Sequence, residues 1–354
     1  MRLSHTRAAV AVSFDDPNLV SAAGLVPVMR LAAAAGLGRL ADDHLTVPTD
    51  KGANAGGKVS ALVAGMVAGA DSIDDMALLR HGGMGTLFTG AYTPSTLGSF
   101  LRVFSFGHVR QLDAVASRFS AGLAAASPLV DVGDGRVMVD VDDTVIEVHG
   151  HAKQGAGFGY CGVRGRGALL ATVTTSTSAP VIVAQRLRKG AAASPRGARR
   201  LIRDALKTVS RLRAASPGPV LLRADSAFYG SPTISAAARA GAQVSVTVRL
   251  EPTVKAAIAS IGDDAWTPIE YTDAVRDRDT GTWISRAEVA EVAFVAFSSK
   301  KAAERVPGRL VVRRIPDLNT EPGQGALFDV WRFHALSPPA TWTPSSQTRP
   351  IAVT

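Results

Sequence analysis

Apolar residues recur with two different periods along this chain, and the period changes near residue 130. Up to that point they are spaced three to four positions apart, which is typical of amphipathic helices. Asp71-Ser72 and Thr93-Pro94-Ser95-Thr96 have the composition of helix starts. The first part of the chain is therefore predicted to be helical, with helices over 25–40, 59–67, 73–79 and 97–104.

Residues 95–119 form two helical stretches with a break near Ser105-Phe106-Gly107. A helix-turn-helix of this shape would place its second helix on DNA. Two ordinary packed helices explain the same pattern. They are favoured, because the segment is short of the Arg, Asn and Gln side chains that read base edges.

From Val137 onward the apolar runs become short and β-branched, which is typical of strands. Three strands in succession, followed by alternating helices and strands, predict an α/β fold with a mixed sheet. In that order the first and fourth strands can be neighbours. A glycine-rich stretch at 155–167 is predicted to be a flexible loop. The predicted strands are 137–148, 168–176, 180–187, 219–225 and 243–250, and the predicted helices are 197–214 and 231–240.

These patterns divide the chain into four parts. Residues 1–130 are predicted to be a helical, DNA-binding domain, and 131–260 the α/β core. Residues 261–335 are β-rich, with strands over 290–297, 309–315 and 327–334. Residues 336–354 are Pro, Ser and Thr with scattered apolar residues and no period, so they are predicted to be a disordered tail.

Two of the predicted apolar strands, 137–148 and 219–225, contain aspartates at or near their ends. On the first strand Asp140 and Asp142 point to one face and Asp143 to the other, and the second strand leads to Asp225. A buried carboxylate needs a partner or a metal. Asp142 and Asp225 on adjacent strands would hold one or two Mg²⁺ (or Mn²⁺) ions, with Asp140 as a third candidate ligand. That chemistry suits phosphoryl transfer on nucleic acid. Turn capping or pairing with nearby arginines is the alternative.

The net charge of +9 is concentrated beside these acidic strands. Residues 151–213 contain thirteen lysines and arginines and one acid, Asp204. Within the predicted helix 197–214, four basic residues spaced four apart form a stripe that a phosphate backbone would neutralise. A solvated helix face is the alternative. The predicted DNA-binding residues are Arg199, Arg203, Lys207, Arg211, Arg164 and Arg166, and Arg186, Arg188 and Lys189 add to the same charge.

Composition and patterning also exclude several classes of protein. The single cysteine, Cys161, excludes a disulfide framework within the chain. The longest apolar stretch, 61–70, is too short to span a bilayer. Asp15-Asp16 precede any long apolar segment, which disfavours a secretory signal. We therefore expect a cytoplasmic, nucleoid-associated protein with no membrane partner.

Four short motifs follow one another along the chain: Asp140-Val141-Asp142-Asp143-Thr144, Gly157-Phe158-Gly159-Tyr160, Gly165-Arg166-Gly167 and Arg223-Ala224-Asp225-Ser226-Ala227-Phe228-Tyr229. Over roughly residues 20–335 the chain resembles the DDE transposases of bacterial insertion sequences. The resemblance implies a ribonuclease-H-like mixed sheet, a helical N-terminal domain and a β-rich insertion. It also implies cleavage and strand transfer at element ends, with Mg²⁺ (or Mn²⁺), a homodimer on double-stranded DNA, and Asp142 and Asp225 as catalytic residues.

The resemblance further implies a third carboxylate, a glutamate on a helix after the β-rich insertion. No Asp or Glu occurs from Leu336 to Thr354, and the last acids, Glu321 and Asp329, lie before or within the final predicted strand. We therefore leave the third carboxylate unassigned. We expect a truncation or frameshift near Leu336 to have impaired strand transfer.

Two other interpretations share some of these residues. Asp140-x-Asp142-x-Thr144 also matches the first motif of haloacid-dehalogenase-type phosphatases, with Asp140 as nucleophile and Asp142 as general acid. The strand continues apolar through Val148 and no acidic pair follows Asp225, which disfavours that class. A non-catalytic DNA-binding remnant or regulator, which binds element ends without cutting them, is the other alternative.

Overall fold

The computed structural model describes residues 2–3, 10–11, 16–48, 50–130, 135–150, 152–213, 218–269, 287–316 and 331–337. The chain forms two compact units, Met1–Leu129 and Val130–Thr354. In the first unit, Arg2–Leu3 (β1) pairs with Val10–Ala11 (β2), and helices follow. The α-helices are Leu25–Ala34 (α1), Leu37–His44 (α2), Ala55–Val67 (α3), Met84–Leu87 (α4), Pro94–Arg102 (α5) and Phe106–Ala126 (α6), with 3₁₀ helices at Asp50–Gly52 and Asp74–Arg80.

One predicted helix of the first unit is broken, and another is of a different type. The stretch over 25–40 is two helices, because Gly36 between them has a φ of 86°, a left-handed conformation that ends a helix. The stretch over 73–79 is a 3₁₀ helix. Its start is held by Asp75, whose carboxylate accepts hydrogen bonds from the N–H (3.0 Å) and hydroxyl (2.6 Å) of Ser72.

The predicted pair of helices over 95–119 is present as α5 and α6. Thr93 caps α5, since its hydroxyl accepts a 3.3 Å hydrogen bond from the N–H of Thr96. Ser105 caps α6, and its N–H donates a 2.9 Å hydrogen bond to Nδ1 of His108. Binding of DNA by this pair stays a prediction.

The second unit is built on a mixed sheet that has ten strands among the described residues. The strands are Val137–Glu147 (β3), Gly157–Phe158 (β4), Arg164–Thr174 (β5), Val181–Lys189 (β6), Val220–Ala224 (β7), Gln243–Val248 (β8), Thr267–Pro268 (β9), Glu288–Ala296 (β10), Val306–Pro316 (β11) and Trp331–Ser337 (β12). The α-helices are Ala198–Leu212 (α7), Ser231–Arg239 (α8) and Pro252–Ala259 (α9), and Ser226–Phe228, Asp263–Ala265 and Ala302–Glu304 are 3₁₀ helices.

The core strands lie in the order β6-β5-β3-β7-β8. β5 is antiparallel to both of its neighbours, whereas β3, β7 and β8 run parallel. If these five core strands are numbered by their order of appearance, they lie in the order third, second, first, fourth and fifth, which is the ribonuclease-H-like arrangement. The predicted α/β fold is confirmed, and β3 and β7 are neighbours as predicted.

The helix α7 covers one face of this sheet. Its apolar side packs with the alternate residues Val137, Val139 and Val141 of β3 in one buried cluster. Burying a leucine or isoleucine in this way stabilises the fold by about 1.5–3 kcal/mol. The residues that α7 contributes are Ala198, Leu201, Ile202, Ala205, Leu206 and Val209.

The β-rich segment continues the same sheet. β12 pairs with β8, with Ala335 opposite Val248, and the order beyond it is β11-β10-β9. β12 ends at Ser337, two residues into the predicted tail, and residues 338–354 of that tail lie outside the described residues.

Candidate metal centre

The parallel pairing of β3 with β7 brings the two predicted catalytic aspartates together. Val141 lies opposite Ala224, so the next positions along the two strands are Asp142 and Asp225. β7 ends at Ala224, and Asp225 begins the short 3₁₀ helix that follows. Because Asp142 follows the buried Val141, its side chain projects from the sheet face opposite α7.

Both carboxylates are exposed, and each is oriented by a backbone N–H. The N–H of Asp143 donates to Oδ1 of Asp142 at 2.8 Å, and that of Ala227 donates to Oδ1 of Asp225 at 3.0 Å. Partial burial, together with the negative charge of Asp225 and the neighbouring acids, raises the pKa of Asp142 despite the hydrogen bond from Asp143. The ionised pair is therefore electrostatically unfavourable by itself, and a bound cation would relieve that repulsion.

The chemistry of this pair fits a hard divalent cation. Mg²⁺ binds through one or two carboxylates and retains several waters, and Mn²⁺ accepts the same oxygen ligands. Within the part of the chain that the structure describes, no cluster of three or more His, Cys, Asp or Glu residues could hold a metal. The aspartate pair therefore supplies two candidate metal ligands, and the remaining positions around the cation would be filled by water or by substrate oxygens.

The third candidate ligand, Asp140, is held in a two-pronged ion pair. Arg223 donates from Nε to Oδ1 at 2.6 Å and from Nη2 to Oδ2 at 2.7 Å. Both oxygens of Asp140 are engaged, which favours Asp142 and Asp225 as the ligands. The same geometry disfavours the phosphatase alternative, because Asp140 would be its nucleophile.

On the opposite face, Asp143 forms a buried ion pair. Nη2 of Arg188 donates to Oδ2 of Asp143 at 2.9 Å, and the two side chains are 8% and 10% exposed. Nη1 of Arg188 lies within 3.0 Å of the carbonyl oxygens of residues 193, 194 and 196. Arg186 pairs with Asp204 of α7. These two arginines tie β6 to its neighbours, so their charge is used inside the fold instead of adding to a DNA-binding surface.

The basic stripe of α7 faces solvent. Arg199, Arg203 and Lys207 are exposed, and Arg211 is half-buried. The apolar side of the helix packs against the sheet face opposite the one from which Asp142 projects. The stripe and the aspartate pair therefore lie on opposite sides of the sheet.

The other two predicted DNA-binding arginines lie on β5. Nη1 of Arg164 donates to the carbonyl oxygens of Val148 at 3.1 Å and Gly150 at 3.0 Å, so part of its role is structural. Arg166 is half-buried opposite Ile146, four residues beyond Asp142 on β3. The strand alternation places Arg166 on the same face as Asp142.

The glycine-rich stretch at 155–167 contains a tight hairpin instead of the predicted flexible loop. β4 pairs with the start of β5, and Gly159 at the hairpin tip packs on β3. A Cβ on Gly159 would lie 2.5 Å from Cγ2 of Val145, and a Cβ on Gly190 would lie 2.2 Å from the carbonyl oxygen of Gly165. These glycines are needed for close packing, which a single sequence does not distinguish from flexibility.

Sequence reasoning missed the roles of Arg223 and Arg188. Arg223 lies two positions before Asp225, just as Asp140 lies two positions before Asp142, and this equal spacing could have revealed the pair. Nothing comparable distinguishes Arg188 from the other basic residues near it, because its contact depends on how β6 and β3 lie on the two sides of β5.

Comparison with known proteins gives the family of the chain. The sequence model of "Transposase DDE domain group 1" matches residues 4–319, a range that contains both Asp142 and Asp225. No curated protein matches the chain significantly. Among the helices described, none has the length and apolar content needed to cross a bilayer. Because the match covers most of the sequence, the chain belongs to the DDE transposases, a family of enzymes that act on DNA in transposition.

Proposed function

We propose that this chain cleaves DNA at the ends of an insertion sequence, using Mg²⁺ or Mn²⁺ held by Asp142 and Asp225, and that loss of the third carboxylate impairs the joining of those ends to target DNA. The observation that carries the proposal is the placement of two exposed carboxylates at adjacent positions of β3 and β7, in a chain of the DDE family. The raised pKa of Asp142 supports it, because partial burial and then the negative charge of Asp225 disfavour the ionised carboxyl, and a bound cation would relieve both effects.

The roles of the chain's own residues follow from the geometry. Asp142 and Asp225 present oxygens that the N–H groups of Asp143 and Ala227 hold in place. A divalent cation bound there would supply activation of a water or a 3′-hydroxyl and stabilisation of the leaving oxygen. Arg166, on the same face, is placed to contact a nearby phosphate.

The basic stripe serves a separate purpose in this proposal. Arg199, Arg203 and Lys207 contact the backbone of a DNA segment on the opposite side of the sheet from the bond that is cut. They therefore contribute affinity and positioning without touching the reacting phosphate. Two copies of the chain on one DNA complex would give the stripe of one copy access to the DNA cut by the other.

The third carboxylate expected in the family has two candidates in this sequence, Glu321 and Asp329, and both lie outside the described residues. A carboxylate from a second subunit would serve equally. Glu321→Gln and Asp329→Asn variants test the first two. Mixing Asp142→Asn chains with wild-type chains tests whether subunits share a site.

The test of the whole proposal is cleavage of a supercoiled plasmid that carries the DNA of this locus. Purified protein should nick at element ends with Mg²⁺ or Mn²⁺ but not with EDTA, and Asp142→Asn and Asp225→Asn should each abolish nicking. Asp263→Asn, an exposed acid elsewhere in the second unit, is the matched control. Tight binding to the ends without any nicking would instead support the non-catalytic alternative. Cleavage retained in both aspartate variants would refute the metal centre.

A further inference from the structure

The tip of the β4–β5 hairpin carries two of the most exposed aromatic side chains in the described part of the protein. Phe158 is 68% exposed and Tyr160 is 76% exposed, although large aromatic rings are usually buried. The hairpin beneath them is held in place by the backbone, since the N–H of Gly159 donates to the carbonyl of Val163 at 3.0 Å. The rings are thus presented on an ordered support.

The hairpin stands beside the aspartate pair. β3 continues past the end of β7, and the hairpin packs on this extension, with Gly159 against Val145 on the face of Asp143. Phe158 pairs with Arg164, two residues before Arg166, so the alternation places Phe158 on the face of Asp142. Some desolvation, and then the negative charges of Asp143, Asp142 and Asp225, raises the pKa of Tyr160, which agrees with that placement. An aromatic surface therefore adjoins the carboxylates without covering them.

Positive charge accompanies the rings. Lys153 and Lys189 are exposed, and Gly155 at the base of the hairpin lies near the aliphatic stem of Lys189. Rings interleaved with cations are the composition of surfaces that bind single-stranded nucleic acid, where bases stack on the rings and cations follow the phosphates. Two rings alone are much too small a patch for a stable protein–protein interface, which buries about 800 Å² on each partner.

We propose that Phe158 and Tyr160 stack on unpaired bases of the DNA strand whose phosphate lies at Asp142 and Asp225, so that the hairpin holds a DNA end in a locally opened form. This inference rests on the proposed function, because that function places DNA at the carboxylates. A duplex end must expose a base before a ring can stack on its face, so the hairpin selects ends that are frayed or splayed.

The first experiment measures binding, with Ca²⁺ in place of Mg²⁺ to suppress cleavage. The probes are two fluorescent 30-base-pair duplexes, one blunt and one with three unpaired bases at its end. Wild-type protein should prefer the splayed duplex, and Phe158→Ala/Tyr160→Ala should lose that preference by about tenfold or more for the two rings. Tyr160→Phe should keep it, because the ring and not the hydroxyl makes the contact.

Two controls separate stacking from general damage. Ile182→Ala removes an aliphatic side chain of similar exposure (52%) from the edge strand β6 and should leave the preference unchanged. The double variant should keep its binding to the blunt duplex and the salt dependence of that binding. The proposal is overturned if the double variant still prefers the splayed duplex. It is also overturned if the double variant loses self-association while it keeps that preference.

The chain also carries its own crosslinking probe. Cys161 is the single cysteine, it is exposed, and it follows Tyr160 at the hairpin tip. A disulfide-activated thiol tether on an unpaired base of the splayed duplex should crosslink to Cys161, whereas the same tether at an internal paired position should not. Equal crosslinking at both positions contradicts the proposal.

These measurements do not depend on catalysis. If Asp142→Asn and Asp225→Asn leave nicking intact while the preference for splayed ends still depends on the rings, the metal centre is wrong and the hairpin assignment stands. If nicking depends on both aspartates but the rings are dispensable for the preference, only the hairpin assignment fails.

Discussion

Asp142 and Asp143 are adjacent on β3, but their side chains lie in opposite environments on the two faces of the sheet. Asp143 points toward the face that α7 covers, where it is buried and paired with Arg188. Asp142 points toward the other face, where it is exposed beside Asp225, and its pKa is raised. One face uses a carboxylate to hold the fold together, and the other keeps a carboxylate ready for a ligand.

The difference shows why sequence position alone does not assign a role to an acid. A buried charge that keeps its partner supports the fold, and losing that partner is costly. An exposed acid held beside another acid lowers stability slightly and is tolerated where function needs it. Stability and activity should therefore respond in opposite ways to changes at the two positions.

The largest effect is expected on the covered face. Arg188→Ala leaves Asp143 buried without its cation and breaks the contacts to the carbonyl oxygens of residues 193, 194 and 196. We expect the free energy of unfolding to fall by about 3–5 kcal/mol. Urea denaturation followed by circular dichroism measures it. A change below about 1 kcal/mol would mean that this pair is worth no more than a surface ion pair.

The next effect concerns the exposed face. Asp142→Asn should reduce metal-dependent nicking at least about 100-fold, because changes one shell further out from a metal already cost about 10–100-fold. Its thermal midpoint should stay the same or rise, since repulsion with Asp225 is removed. Mg²⁺ should raise the midpoint of wild type but not of the variant, by mass action on a folded-state site. Differential scanning fluorimetry with and without Mg²⁺ checks both statements.

A smaller effect is expected on the outer side of α7. Arg203→Gln/Lys207→Gln removes two exposed cations, so the slope of log affinity against log salt should become less negative by about 2. Binding should weaken similarly for all DNA sequences, because phosphate contacts carry no base information. Lys300→Gln/Lys301→Gln changes two exposed lysines between β10 and β11 and is the matched control. Fluorescence anisotropy titrations at several salt concentrations give the slopes.

The smallest effect concerns pH. The pKa of Asp142 is raised in the folded state above its ordinary value of 3.8, so the folded protein holds this proton more tightly than the unfolded chain does. The resulting stabilisation is complete below pH 3.8 and is lost as pH rises through the folded pKa. The stability advantage of Asp142→Asn over wild type should therefore be full at neutral pH and shrink as the pH is lowered. An advantage that grows toward acid pH would contradict the assignment.

Much of this arrangement was predictable from the sequence. The alternation of β3 assigns Asp142 and Asp143 to opposite faces, and the order of elements makes β3 and β7 neighbours. Arginine partners were not predictable, because they depend on register and on diagonal contacts across a third strand. The break at Gly36 and the packing role of Gly159 were also missed, since both depend on local geometry that apolar periodicity does not encode.

The ion pair between Asp140 and Arg223 has a consequence for the accuracy of assembly. Sliding β7 along β3 by two residues would preserve the facing of every side chain, so hydrophobic patterning does not forbid that error. A slip toward the start of β3 would set Arg223 against Met138, which offers no carboxylate, and Asp225 against Asp140, so the metal ligands would be separated. By bonding Asp140 through both oxygens, Arg223 distinguishes the correct alignment from this misaligned one. The ion pair therefore stabilises the strand alignment that brings Asp142 and Asp225 together, although neither Asp140 nor Arg223 is itself a metal ligand in this proposal.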